Sequence, residues 1–157
     1  MAQPNLAIFP RQSVWRLIVI VLGSLGCYTA LWLWASSRAL DRNLPGRRIA
    51  SWYFPVSAGL TCASLALVLA ELCFPDAATL HVAARIAIYL TFFLLLVWTF
   101  KVRNRVNLLL RSTKRSPFWL HGFWTATFGV VYIQKQINEF RSAQSTVRRR
   151  AKLAPAH

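Results

Sequence analysis

Nearly all of the basic residues of this chain fall between long apolar runs, and there are few acids to balance them: 19 Lys and Arg stand against four Asp and Glu. That pattern limits the fold more than any motif does. Among 157 residues, 56% are hydrophobic and the mean hydropathy is +0.42. A single domain of this size has too little polar surface to cover so much apolar material in water. The formal charge of +15 raises nucleic acid as a partner. In a nucleic-acid binder, however, basic residues would alternate with polar ones, whereas here they edge apolar stretches as lipid-headgroup contacts and positive-inside anchors do. The expectation is an integral membrane protein whose partners are anionic lipids, with no nucleic acid.

Four apolar segments are visible: Val14 to Trp34, Ser51 to Phe74, Ala83 to Phe100, and Pro117 to Ile133. The second and third have the length of a membrane-crossing helix, about 20 residues. The short turn from Pro75 to Leu80 joins them into an antiparallel helical hairpin. The first and fourth are interrupted by glycine or short, and rich in Trp and Tyr, as helices are that end, bend or re-enter within a membrane. Loop charges point the same way. If all four segments cross, the basic residues divide almost evenly between the two faces, against the positive-inside rule. If the first and fourth dip in and return, every basic residue except Arg85 shares one face. An arrangement in which only the first segment joins the central pair in crossing lies between these.

The expected fold is therefore all-α: a central two-helix transmembrane hairpin flanked by two re-entrant or interfacial helical segments. A four-helix transmembrane bundle is the competing arrangement. One membrane domain covers residues 1–140, followed by a basic, disordered cytoplasmic tail over 141–157. Both termini are expected in the cytoplasm, and the N-terminal apolar stretch is too long for a cleaved signal.

Segments one and four share a pattern. Leu25-Gly26-x-Tyr28, with Trp32 and Trp34, has a counterpart in Gly129 and Tyr132-x-Gln134-x-x-Ile137-Asn138. Glycine-interrupted segments in both halves of a membrane chain can mark a symmetric site. Over residues 13–43 and 116–140 these patterns resemble the repeated signature of a bacterial family of small integral membrane domains, the domain of unknown function 4234 type. The resemblance implies a bacterial inner (cytoplasmic) membrane location and carries no activity with it. Val130-Val131 departs from it by one extra residue before the tyrosine.

Several constellations are candidates for function. Gly59, Ala63, Ala66 and Ala70 recur on one helical face, a helix-packing face for segment three or for a second copy of the chain. Glu71 and Arg85 flank the short turn and are placed to form an ion pair. Arg38, Arg42, Arg47, Arg48, Lys101, Arg103, Arg105, Arg111, Lys114 and Arg115 are expected at lipid headgroups. Val102, Val106 and Leu109 suggest an extension of segment three lying along them. Gly23-Ser24-Leu25-Gly26 lacks nucleophile-elbow spacing. His81, His121 and His157 lie too far apart along the chain and in depth for a metal centre. Cys27, Cys62 and Cys73 have no paired spacing.

No catalytic residue, metal or cofactor is expected. The function anticipated is non-enzymatic: an oligomeric or accessory membrane module with an anionic-lipid-binding cytoplasmic face, working as a homo-oligomer or with a membrane protein partner. The alternative is a small oligomeric transporter or channel lined by the glycine-broken segments.

Overall fold

The computed structural model describes residues 9, 12–24, 26–44 and 48–153, with side chains as far as residue 146. Among the described residues there are five helices and no strand: α1 (Val14–Gly23), α2 (Cys27–Asn43), α3 (Tyr53–Cys73), α4 (Ala78–Leu109) and α5 (Gly122–Leu153). The central pair, α3 and α4, forms the expected antiparallel hairpin around a turn at Pro75 and Asp76. Both helices are long and apolar enough to cross a membrane, and only 11% of the most apolar window of each is buried within the protein. A core helix of a soluble protein would be mostly covered. Here Leu69, Leu72, Tyr89 and Phe93 are each more than 60% exposed, an apolar surface of the kind that meets lipid or another protein.

The two flanking segments double back on themselves. Gly26 has φ +85° and Gly129 has φ +52°, a region open to glycine and costly for other residues. At the first break the Ser24 hydroxyl accepts the N–H of Tyr28 at 3.0 Å and donates to the Val21 carbonyl, so polar groups of the tight turn are satisfied locally. Gln12, just before α1, then donates to the Tyr28 hydroxyl at 2.8 Å. In a straight helix these residues would lie about 24 Å apart. The second break divides α5, which has non-helical geometry at Gly129. The rings of Phe118 and Phe140 meet edge-on at 5.0 Å, so the arms on either side of Gly129 form a second V. Segments one and four are thus helix–break–helix hairpins whose outer arms expose Trp15, Val19 and Leu22 on α1, and Phe123, Trp124 and Phe128 on α5.

The core gathers where these hairpins meet the C-terminal half of α4. Leu17, Leu33, Leu40, Trp98, Val102, Val106, Ile133 and Ile137 are almost completely buried there. Two expectations change. The Val102–Val106–Leu109 face does not lie along headgroups: α4 continues as one helix, and this face packs into the core. At 32 residues, or about 48 Å, α4 exceeds a hydrocarbon core of about 30 Å. Its last third, from Trp98 on, anchors the rest of the chain. In addition, α5 continues to Leu153 past residue 141, where the tail was expected to begin. No Gly or Pro interrupts that stretch before Pro155, and its Ala, Gln and Arg suit a helix.

Alanine at Gly26 or Gly129 would meet no atom within 4 Å, so any loss should come from backbone strain alone. Each substitution is expected to cost about 1–3 kcal/mol. The same change at Gly59, where a Cβ also meets open space, should be neutral or slightly stabilising. Unfolding in detergent micelles measures all three, and equal behaviour would count against the two breaks.

Candidate functional site

The base of the molecule is tied together by three polar residues from α4. Arg105, 8% exposed, pairs with Asp41 of α2 and donates to the Leu44 carbonyl at 2.9 Å. Asp41 also accepts the N–H of Ile49 at 3.2 Å. One buried guanidinium therefore joins α4, the end of α2 and the segment leading to α3. Two residues on, Asn107 accepts the Leu120 N–H at 2.9 Å and the Ser112 hydroxyl at 3.2 Å, which holds the α4–α5 connection against its own helix. Arg103 donates to the Leu120 carbonyl at 2.6 Å, and its guanidinium lies within 6 Å of the ring centres of Phe100 and Trp119.

This corrects two of the ten headgroup assignments. Arg105 is an internal ion-pair partner, and Arg103 is half-buried against aromatic rings. Their carbonyl and carboxylate acceptors lie inside the fold, so water or lipid phosphate is replaced by protein. Arg38, Arg42, Arg48, Lys101, Arg111, Lys114 and Arg115 are exposed, and Arg47 lies outside the described residues. Arg111 has φ +49° and closes α4 in the left-handed conformation common at helix ends.

The repeat residues converge on one hydrogen-bond chain. Trp32 Nε1 donates to Gln134 Oε1 at 3.3 Å, and Gln134 is fully buried. The Gln134 amide donates to Asn138 at 3.1 Å, Asn138 donates to the Gln12 carbonyl at 2.9 Å, and the Gln12 side chain reaches Tyr28. Tyr132 accepts the His121 N–H at 3.4 Å across the second hairpin, as Tyr28 does from Gln12 across the first. The two motif halves thus meet side by side, and Leu25 lies outside the described residues.

On α3 the small-residue stripe does not face α4. Gly59, Ala63 and Ala66 are exposed and Ala70 is half-buried. The buried stripe is Ser57, Thr61 and Ser64, one helical face away, and on α4 Ala84, Ala87 and Thr91 are buried. Ser64 and Thr91 meet at 3.0 Å. Each has one hydroxyl hydrogen, so one donates across while the other bonds back to its own helix. Small hydroxyl residues permit the same close approach as Gly and Ala, since back-bonding satisfies their polarity.

At the turn, Arg85 and Glu71 approach to 4.0 Å, but His81 is the nearer partner of the carboxylate. Its other ring nitrogen donates to the Pro75 carbonyl at 2.7 Å. The i, i+10 separation of Glu71 and His81 across a tight turn could have revealed this contact.

Two of the concavities among the described residues bear on function. One, of about 610 Å³, lies at mid-height of α3 and α4, where Gly26 and Gly129 come to the same groove as Ser64 and Thr91. The other, of about 1040 Å³, opens at the base between α2 and the start of α3 and contains Arg38, Arg42 and Arg48. Among the described residues no three His, Cys, Asp or Glu side chains come together as a metal site. Comparison with protein-family models, with curated proteins and with solved structures finds no match to this chain.

Replacing Arg105 with Gln should destabilise the protein by about 3 kcal/mol, because it strands a largely buried Asp41. Replacing the exposed Arg42 with Gln should change stability by less than about 0.5 kcal/mol. Paired unfolding midpoints check this, and similar losses for the two would contradict the clasp.

Proposed function

We propose that this chain is a non-enzymatic integral membrane protein of the inner-membrane type, in which α3 and α4 span the bilayer. The hairpins formed by α1–α2 and by the arms of α5 re-enter from the side on which both termini lie, the cytoplasm. Its role is that of an oligomeric or accessory module whose basic base adheres to anionic lipid. One observation carries this reading: the protein is divided by height. Its upper part is a bare apolar pair of helices, and its base is a packed layer in which exposed arginines surround an apolar core tied by a few buried polar residues. The apolar outer faces of α1 and of the first arm of α5 support lipid contact for both hairpins. The exposed Gly59, Ala63 and Ala66 leave a face on which another span can pack closely. The bacterial location follows from the resemblance of the two glycine–tyrosine patterns.

A second reading, a small oligomeric transporter or channel, draws on the groove at mid-height, where both hairpin breaks meet hydroxyls of α3 and α4. Its lining is mostly apolar, so one chain alone offers no continuous polar path. Ion flux through purified protein in liposomes tests it: no flux from a verified oligomer would eliminate the channel.

Topology is tested by single cysteines in a background lacking Cys27, Cys62 and Cys73. Probes at Asn43, Thr113 and Ser145, all exposed, are expected to react from one face of the membrane and Thr79 from the other. Ser145 labelling from the same side as Thr79 would overturn the re-entrant arrangement of α5.

A further inference from the structure

Arg38 and Arg42 lie one turn apart on α2, and Arg48 faces them from the segment that leads into α3. All three line the groove of about 1040 Å³ at the base. The carboxylate in its lining, Asp41, is already held by Arg105 and the Ile49 N–H. Among the described residues no acid pairs with Arg38, Arg42 or Arg48. Three uncompensated guanidinium groups in one concavity concentrate positive potential. The start of α3, which no side chain caps, also borders the groove and adds the positive end of its helix dipole.

The rest of the groove is apolar. Trp34 stacks on Phe54 with ring centres 4.9 Å apart, and the Arg38 guanidinium lies 4.3 Å over the Trp34 ring. That cation–π contact holds Arg38 toward the groove instead of leaving it free in solvent. Trp98 closes the inner wall, its indole N–H donated to Ser37 at 2.9 Å. Past Pro55, α3 goes on with exposed apolar residues, Val56, Gly59 and Ala63 among them. The groove therefore joins a cationic mouth to an apolar track along a spanning helix. A soluble phosphate would use only the mouth, whereas a phospholipid would use both. Basic pockets of this kind between membrane helices suit acidic headgroups.

We propose that this groove is a specific site for an anionic phospholipid: Arg38, Arg42 and Arg48 grip the headgroup phosphate, and an acyl chain lies along α3. The site rests on the membrane reading above and narrows its basic face to one location.

The test is binding of phosphatidylglycerol to the full-length protein in detergent, followed by native mass spectrometry, with phosphatidylcholine and inorganic phosphate as comparison probes. The double change Arg42→Gln with Arg48→Gln should weaken phosphatidylglycerol binding about tenfold, the equivalent of losing roughly one charge-assisted hydrogen bond. Removing the same charge elsewhere on the base, with Arg16→Gln and Lys135→Gln, should leave binding within about twofold of the unaltered protein, since neither side chain lines the groove. If the double groove variant fails to fold, Arg48→Gln alone should still weaken binding about threefold. Equal losses from both double variants would overturn the groove while preserving a generally basic face. Inorganic phosphate competing as well as the lipid would overturn the acyl-chain half of the site. An unaltered protein that binds phosphatidylcholine as well as phosphatidylglycerol would sink both the site and the lipid-adhering function.

Discussion

The Arg105–Asp41 pair is the contact on which the base of this protein depends. Taking a guanidinium and a carboxylate out of water is costly unless each keeps most of its hydrogen bonds. Here the Leu44 carbonyl and the Ile49 N–H supply additional partners. The pair therefore acts as a junction of three chain segments: α4, the end of α2 and the approach to α3. It also settles which charges remain outward. Because Asp41 is committed inward, its helical neighbours Arg38 and Arg42 have no acid beside them.

A second polar junction lies higher, among Trp32, Gln134, Asn138, Gln12 and Tyr28. Its members come from the two hairpins and from Gln12, two residues before α1, so it fastens one hairpin to the other. Buried side-chain networks of this kind specify one arrangement among many apolar alternatives, because a misplaced neighbour leaves donors unsatisfied. The apolar surfaces of helices offer little such discrimination. With glycine breaks allowing each segment to double back, the network selects how the resulting hairpins sit together.

How much of this was legible in the sequence depended on whether the signal was local. The α3–α4 hairpin was readable from apolar length and the Pro75-Asp76 turn, and breaks near Gly26 and Gly129 from glycine within aromatic, apolar stretches. Both are properties of neighbouring residues. The fates of Arg103 and Arg105 were not readable. Their spacing beside a span is that of ordinary headgroup anchors, and their true acceptors, Leu120 and Asp41, lie 17 and 64 residues away. The Ser57–Thr61–Ser64 stripe was overlooked for a different reason. Gly and Ala look like the residues that admit a close neighbour, yet a hydroxyl bonded back to its own helix is nearly as small and keeps its polarity satisfied. The Glu71–His81 contact was missed because Arg85 supplied an obvious opposite charge, while a histidine can match it with two directed hydrogen bonds.

The two hairpins also make the molecule unequal along its length. Among the described residues only α3 and α4 rise above mid-height; from mid-height down they are joined by α1, α2 and both arms of α5. In the membrane reading, the protein would then displace far more lipid from the leaflet at its base than from the opposite one. That asymmetry bears on the charge pattern. A broad base has a long perimeter at headgroup depth, and arginines there can face lipid without facing one another. The crowding of Arg38, Arg42 and Arg48 into a single groove is not required by that perimeter. Dispersed charge would serve adhesion with less mutual repulsion, so their convergence is better accounted for by one anion held between them.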